Sequence, residues 1–205
     1  AAERSEYFPV YFIASQPGNE AEVADGHGYG YDFASDATRR AALEAARDSG
    51  ERRSTAAFPL PQESGAGLGV LTFVPIYDRQ ELLASPKARQ GTLSGFIAGF
   101  FRIHALVDDA LRGSSPETAS LTLLDRSAPA AESSLYRWPA APNGAATLAA
   151  HDAEYRIEQA IDIPGRDWRV QLASTPQFEA SHSPRVAWWI LAGGLLLASL
   201  LAFTL

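Results

Sequence analysis

Apolar and polar residues alternate along eight segments of the chain, which is the pattern of β-strands with one buried face. The first, YFPVYFIASQPGNE at 7–20, predicts a strand running into a turn. The most strand-like segment is GLGVLTFVPIYD at 67–78, and GTLSGFIAGFFRI at 91–103 carries glycines of the kind that allow close backbone approach. Further strands are predicted at 52–60, 119–125, 133–138, 153–163 and 167–174.

Two segments favour helices instead. DATRRAALEAARDS at 36–49 consists largely of strong helix formers, with Ser35 or Asp36 as its N-cap and Gly50 as the residue that ends it. Its apolar residues are mostly alanine, so one face of this helix can lie close against a sheet. IHALVDDALRG at 103–113 repeats apolar residues at helical spacing and is predicted to be amphipathic.

The order of these elements predicts the fold class. One strand, one helix and three strands are followed by a second helix and four strands. An α+β fold with two small units, each an antiparallel sheet with a helix beside it, fits a chain of 205 residues.

The C-terminal segment predicts a membrane helix. Residues 186–205, VAWWILAGGLLLASLLAFTL, contain no charge, and as a helix they would span about 30 Å, the thickness of the hydrocarbon core. Trp188 and Trp189 lie where aromatic residues meet the membrane interface. The alternative is a buried helix of a soluble protein. We expect a soluble part followed by a transmembrane helix at 184–205.

Composition narrows the class of partner. The net charge of −7 argues against nucleic acid, because phosphate binding needs a basic face. The chain has no cysteine, which excludes disulfides, a thiol nucleophile and a zinc–thiolate site. It also has no methionine, so we expect a chain that is processed at its N-terminus or belongs to a longer protein.

No group of residues predicts catalysis or a cofactor. The four histidines are scattered, without metal-ligand spacing, so no metal site is expected. The glycine-rich DGHGYGYD at 25–32 lacks the Lys-Ser/Thr of a phosphate loop, and a turn-rich loop is the simpler interpretation. Asp108 and Asp109 are adjacent acids on the outer face of their helix, where solvated side chains are expected.

Several longer segments together resemble a known family. EYFPVYFIASQPGNE, GYDFASDATRRAALEAARDSG, STAAFPL, GLGVLTFVPIYD and LSGFIAGFFRIHALVDDAL occur in the order and spacing of the CHASE domain. DWRVQLASTPQF resembles the closing segment of the same module. The resemblance extends over about residues 5–180. CHASE domains are extracytoplasmic sensor modules of receptor histidine kinases, diguanylate cyclases and related membrane enzymes.

The resemblance implies an architecture. It implies two tandem PAS-like subdomains, a membrane-distal one at 1–101 and a membrane-proximal one at 102–183, followed by the transmembrane helix at 184–205. It also implies a homodimer, a preceding helix and membrane span, and a periplasmic or extracellular position for the soluble part of a protein in the cytoplasmic membrane. The enzymatic output domain would follow this chain, which itself is not expected to be an enzyme.

The resemblance also implies a site for a small ligand, between the sheet of the distal subdomain and the loop and helix that cover it. Glycines would leave room, aromatic rings would stack on a flat ligand, and a threonine would offer a hydroxyl group. The alternative is that the phenylalanines simply fill the core of a small sheet. The residues matched by motif are Thr55, Phe58, Leu60, Phe73, Gly95 and Phe96.

One position departs from the plant members of the family, the cytokinin receptors, which read a purine with an aspartate on the covering helix. Counting back from Gly50 places Arg39 at that position, whereas Asp36 lies almost a turn earlier. Asp36 in a shifted register would suit an adenine-like ligand. Arg39 would instead favour an anionic ligand.

Three functions are compatible with these features. The first is a ligand-gated sensor that passes small-molecule binding through the transmembrane helix to a cytoplasmic output domain. The second is a dimerisation or protein-interaction module whose pocket is occluded by large aromatic side chains. The third is an exported, tail-anchored enzyme with a serine nucleophile, for which Ser54, Ser64 and Ser94 are the candidates.

Overall fold

Two antiparallel sheets of four strands each, with short helices beside them, form the part of the chain that the structure describes. The structure is a computed structural model, and it describes residues 6–14, 28–60, 67–78, 85–115, 118–139 and 153–182. The strands are β1 (Arg53–Ser54), β2 (Phe58–Pro59), β3 (Leu68–Tyr77), β4 (Leu93–Arg102), β5 (Ala119–Asp125), β6 (Ser134–Trp138), β7 (Arg156–Ile163) and β8 (Arg166–Ser174). The helices are α1 (Ala37–Ser49), α2 (Pro86–Thr92), α3 (Ile103–Ala110) and α4 (Pro176–His182), with 3-10 turns at Phe33–Ser35 and Ala130–Glu132.

Strand β3 is the centre of the first sheet. β4 pairs with it along almost its whole length, from Gly69 opposite Arg102 to Tyr77 opposite Leu93. The short strands β1 and β2 share the other edge of β3. The second sheet has the order β6-β5-β8-β7, and all of its neighbours are antiparallel. The predicted α+β fold with two antiparallel sheets is confirmed.

Helix α1 forms as its local sequence predicts. The Asp36 side chain caps it by accepting a hydrogen bond from the Arg39 backbone N–H at 3.0 Å. Gly50 ends it with a φ of 76°, in the left-handed region that glycine adopts without steric cost. Ala42 and Ala46 are buried in the core of the first sheet, where their small side chains let the helix approach the strands.

The two faces of β3 belong to different cores. On one face, Leu71 and Phe73 pack with α1. On the other, Val70 packs with side chains of the second sheet, among them Trp168. The second core consists of the buried residues Val70, Ile103, Leu123, Leu135 and Trp168. Because adjacent residues of β3 contribute to both cores, this strand connects the packing of the two sheets.

A hydrogen bond ties α3 to the edge of the second sheet. The Tyr136 hydroxyl on β6 donates to the Asp108 carboxylate on α3. Burial of the phenol is the larger cause and this hydrogen bond the smaller cause that together raise the pKa of Tyr136 to about 12. Asp108 therefore has a structural partner, although the sequence indicated only a solvated acid.

Several details differ from the sequence-based expectations. The segment predicted as one strand at 52–60 forms the two short strands β1 and β2. The opening segment does not form a regular strand: Pro9, which lacks an N–H group, makes a single bridge with Asp32. Its neighbour Val10 exchanges backbone hydrogen bonds with Tyr31 and Gly30. Helices α2 and α4 were not expected, because each is only seven residues long and lacks a periodic apolar face.

The predicted membrane helix at 184–205 lies outside the described residues, which end at 182. None of the helices in the described ranges has both the length and the apolar character needed to cross a membrane. The boundary predicted between 101 and 102 falls one residue before the end of β4, which α3 follows directly, and it stays a prediction.

Candidate functional site

The side of the first sheet that faces α1 carries most of the predicted ligand-binding residues. Side chains alternate between the two faces of a strand, and opposed residues share a face. Phe96 is opposite Pro75, and Phe100 is opposite Leu71. Phe73 lies between these pairs on the same face and is 0% exposed. We refer to this side, with α1 across it, as the helix-facing side.

Phenylalanine rings pack edge to face on the helix-facing side. Phe73 lies 5.5 Å from Phe33 and 6.1 Å from Phe96, measured between ring centroids. Phe96 lies 5.3 Å from Phe8 in the same geometry. These rings occupy space between the sheet, α1 and the segments that precede it. Phe73 and Phe96 therefore serve as core residues in this structure.

Thr55 and Phe58 also lie on the helix-facing side. Thr55 is buried, and its side-chain oxygen accepts a hydrogen bond of 3.1 Å from the Leu71 N–H. Phe58 pairs with Gly69 across β2 and β3, and its ring stacks on Phe100 with centroids 6.3 Å apart. The structure thus brings these two predicted site residues to one face.

Gly69 makes room for the neighbouring side chains, and Leu60 is one of them. A Cβ atom at Gly69 would lie 2.9 Å from Leu60 Cδ2 and 2.7 Å from Phe100 Cε2. Leu60 is half-buried and therefore borders the same face as Phe58. Gly69 was not predicted as a site residue, because its role depends on a contact between strands.

Arg39 is held at the rim of the helix-facing side by two aromatic rings. Its guanidinium carbon lies 5.3 Å from the centroid of the Tyr31 ring and 5.1 Å from that of the Phe58 ring. Its Nη1 donates a hydrogen bond of 2.6 Å to the Tyr31 hydroxyl oxygen. Cation–π contacts and this hydrogen bond fix the position of the positive charge. We call Arg39, Tyr31 and Phe58 the arginine clamp.

Two predicted site residues do not join this group. Gly95 pairs with Ile76 and alternates with Phe96, so it belongs to the opposite face of the sheet. A Cβ atom built there meets no atom within 4 Å. Asp36 is used as the cap of α1, and its carboxylate accepts the Arg39 backbone N–H rather than pairing with the guanidinium.

Two clefts of the described part lie away from the arginine clamp. One, of about 460 Å³, separates the chain after α1 from the turn between β7 and β8. The other, of about 210 Å³, is an apolar groove at the edge of the second sheet that includes Tyr155 and Phe178. Neither is lined by a predicted site residue, which agrees with the filled aromatic face.

The C-terminal end of α1 is anchored to its surroundings. The Tyr77 hydroxyl donates to the Arg47 carbonyl oxygen at 2.6 Å, and Arg89 Nε donates to the Asp48 carbonyl oxygen at 2.7 Å. Arg47 Nε also donates to the Asp48 carboxylate, and this hydrogen bond lowers the pKa of Asp48. The helix that carries Arg39 is thus tied to β3 and α2.

Comparison with known proteins places the chain in a family. The sequence pattern of the CHASE domain matches residues 1–136, which is more than half of the chain and includes the arginine clamp. The chain belongs to the CHASE domain family. The CHASE domain is a sensor module of signalling receptors. This confirms the resemblance on which the expected site residues rested.

A curated relative comes from Dictyostelium discoideum and is named hybrid signal transduction histidine kinase A. It is 24% identical over 220 residues, which cover 99% of this chain but 10% of the relative. This CHASE domain chain therefore spans about a tenth of the protein that it matches.

Two of the three serines proposed as nucleophiles form hydrogen bonds with side chains of neighbouring strands or loops in this CHASE domain. The Ser54 hydroxyl is buried and lies 2.9 Å from the Thr72 hydroxyl. The Ser94 hydroxyl donates to the Asp78 carboxylate. Ser64 lies outside the described residues. Among the described residues, no three His, Cys, Asp or Glu side chains are grouped as they would be to hold a metal ion.

Tyr31, Phe33 and Phe8 were missed as neighbours of the site. Phe8 belongs to the segment predicted as a strand and Tyr31 to the loop predicted at 25–32, whereas Phe33 lies between that loop and the predicted helix. Tyr31 and Phe33 come just before the cap of α1, so the residues that precede a covering helix were the available indication. Their contacts with Arg39 and Phe73 depend on how the chain crosses the sheet, which periodicity does not reveal.

The first sheet contacts the second through the turn between β7 and β8. The Ser54 N–H donates to the Pro164 carbonyl oxygen at 2.8 Å, and Arg52 forms an exposed ion pair with Asp162. Arg53 lies against Gly165, which has a φ of 75°. We call these contacts the intersheet contact. It begins a few residues after the end of α1.

We predict that Gly165→Ala weakens the intersheet contact. An alanine in this left-handed conformation costs about 1–2 kcal/mol, and its Cβ would lie 2.8 Å from Arg53 Cδ. The matched control is Gly113→Ala, because Gly113 has a φ of 87° but open space around its Cβ position. Urea unfolding should show a larger loss for Gly165→Ala. Equal losses would mean that the Arg53 side chain moves away from the added Cβ atom at no cost.

Proposed function

We propose that this CHASE domain is the ligand-sensing part of a membrane receptor and binds a small molecule at the rim of its helix-facing side. The observation that carries the proposal is the arginine clamp. It holds a positive charge beside Phe58, a partly buried aromatic side chain, within the segment that matches the family. A fixed charge beside an apolar surface is typical of small-molecule sites.

In the proposed setting, the two sheets are the cores of two PAS-like subdomains at 1–101 and 102–183, outside the cytoplasm. A transmembrane helix at 184–205 leads to a histidine kinase or diguanylate cyclase, and two copies form a homodimer. The Dictyostelium relative is a histidine kinase by name, which supports an output of that kind.

Binding at the rim is proposed to act on the second sheet through α1. The anchored end of α1 leads within a few residues to the intersheet contact, where Ser54 bonds to Pro164. A ligand that favours one position of α1 would shift the population of two packings at this contact. The shift is limited by the difference between the ligand's affinities for the two packings.

The first test is ligand-dependent thermal stabilisation of this chain in a screen of small metabolites. A binder raises the melting temperature with its own concentration. We expect Phe58→Ala to abolish the effect of such a compound, because it removes one ring of the arginine clamp. Ile97→Ala is the matched control, since Ile97 lies on the opposite face of the sheet and is 61% exposed. Equal responses of both variants would exclude this rim as the site.

A second function, a dimerisation or protein-interaction module without a small ligand, is favoured by two observations. The rings of Phe73 and Phe96 fill the space where the ligand was expected. The opposite face of the first sheet exposes a group of apolar side chains: Val74, Ile76, Ile97 and Phe101. A melting temperature that rises with protein concentration but with no compound in the screen would support this function instead.

A further inference from the structure

The arginine clamp presents hydrogen-bond donors and a positive charge without an acceptor to match them. Arg39 Nη1 is bonded to Tyr31, but Arg39 Nε is buried and has no hydrogen-bond partner among the described residues. No acidic side chain in the described ranges forms an ion pair with Arg39. A buried donor without a partner costs about 1–3 kcal/mol. A ligand oxygen would recover this cost once a small movement of the side chain exposes Nε to it.

The Tyr31 hydroxyl adds a further donor. Its oxygen accepts hydrogen bonds from Arg39 Nη1 and from the Ser35 hydroxyl, the latter at 3.1 Å. A phenol that accepts two hydrogen bonds still has its own hydrogen to donate. No acceptor for that hydrogen is found in the described part of the chain. Arg39 and Tyr31 therefore offer donors at one place on the rim, which is complementary to an anion.

Helix stability does not explain the position of Arg39. It lies in the first turn of α1, where the helix dipole disfavours a positive charge by about 0.3–1 kcal/mol. The Asp36 carboxylate at the cap is satisfied by the backbone of the helix rather than by the guanidinium. Arg39 thus opposes the charge preference of the first helical turn, and two aromatic rings nevertheless hold it there. This combination favours a role for Arg39 in binding a ligand.

We propose that the ligand is a small monocarboxylate with an apolar body. This inference rests on the proposed function of the rim. The carboxylate binds the Arg39 guanidinium and the Tyr31 O–H, and the apolar body lies on the Phe58 ring. A carboxylate matches the fork of a single guanidinium. A doubly charged phosphate fits this rim less well than a carboxylate. It would be neutralised by one arginine only, it would lie near the Asp36 carboxylate, and the whole chain carries a charge of −7.

Matched pairs of charged and neutral compounds test this inference. Benzoate and benzamide, phenylacetate and phenylacetamide, and butyrate and butyramide differ mainly in the carboxylate. We expect at least one acid to raise the melting temperature of the wild-type chain and its amide to leave it unchanged. In calorimetric titration, Arg39→Gln should weaken binding of that acid at least about tenfold. Arg39→Lys should restore part of the loss, because it keeps the charge but not the fork.

The control variant is Arg112→Gln, which changes the net charge equally at an exposed site that pairs with Asp109. It should bind the acid as the wild-type chain does. Circular dichroism of Arg39→Gln without ligand should match that of the wild type, which separates lost binding from lost folding.

Other outcomes overturn the inference. If an acid and its amide stabilise the wild type and Arg39→Gln equally, the ligand is not recognised by its charge, although the proposed sensing function stands. If inorganic phosphate binds in an Arg39-dependent way and the acids do not, the anion is not a carboxylate. If none of these compounds shifts the wild-type melting temperature, the monocarboxylate is wrong. The proposed function then depends on the wider metabolite screen alone.

Discussion

Replacement of Asp125 with alanine is expected to lower the free energy of unfolding by about 3–5 kcal/mol, because it leaves a buried arginine without its partner. Asp125 is 0% exposed, and its Oδ2 lies 2.6 Å from Arg166 Nε, whose side chain is 13% exposed. The other carboxylate oxygen accepts the Ser127 N–H at 2.9 Å. Loss of the carboxylate therefore unpairs both a guanidinium and a backbone donor.

Urea unfolding of Asp125→Ala measures this loss, with Asp167→Ala as the matched control. Asp167 pairs with Arg169 at 2.6 Å, but both side chains are substantially exposed. An exposed pair contributes about 0–1 kcal/mol. If the two variants lost similar stability, the interior around Asp125 would have to be wetter than the structure indicates.

The Asp125–Arg166 pair also bears on the proposed signalling route. Arg166 is the first residue of β8, directly after Gly165 of the intersheet contact. The buried ion pair thus fixes the end of the turn that contacts the first sheet. A rigid turn transmits a displacement of residues 51–54 to the second sheet better than a loose turn does. The ion pair between Asp125 and Arg166 would therefore support both the stability of the fold and the proposed coupling between the two sheets.

Local signals were sufficient to predict much of the fold. The cap of α1 and its end at Gly50 depend on hydrogen bonds and backbone angles within a few residues. The end was predicted correctly, and the cap, predicted at Ser35 or Asp36, is Asp36. The alternation in 67–78 predicted β3 because both faces of that strand are in contact with other elements. The opening segment was misassigned because its alternation resembles that of a strand, whereas Pro9 limits its pairing to one bridge.

The arrangement of the candidate site residues was only partly predictable for a different reason. Motif matching selected Thr55 and Phe58, and counting back from Gly50 selected Arg39; the structure places all three on or beside the helix-facing side. Motif matching also grouped Gly95 with Phe96. Adjacent residues of a strand belong to opposite faces, and the register of β4 on β3 decides which of them faces α1. The register depends on how two strands pair, so it could not be predicted from the sequence of either strand alone. The same applies to Tyr31, whose ring meets Arg39 only in the folded chain.

Phe73→Ala is expected to lower the free energy of unfolding by about 3–5 kcal/mol, the range for a fully buried phenylalanine. Its ring is 0% exposed and contacts Phe33 and Phe96 edge to face. Urea unfolding of Ile97→Ala, on the opposite face of the same sheet, should show a loss of less than about 1 kcal/mol.

The size of the Phe73→Ala effect decides where a ligand can bind. A loss in the expected range means that the rings form a packed core, which leaves the rim at Arg39 as the place for a small molecule. A loss similar to that of Ile97→Ala would mean that the space around Phe73 tolerates removal of a ring. A buried pocket among Phe73, Phe96 and Thr55 would then be the better site, and Phe73→Ala rather than Arg39→Gln should alter ligand binding. Stability and binding measured on the same two variants therefore separate a rim site from a core site.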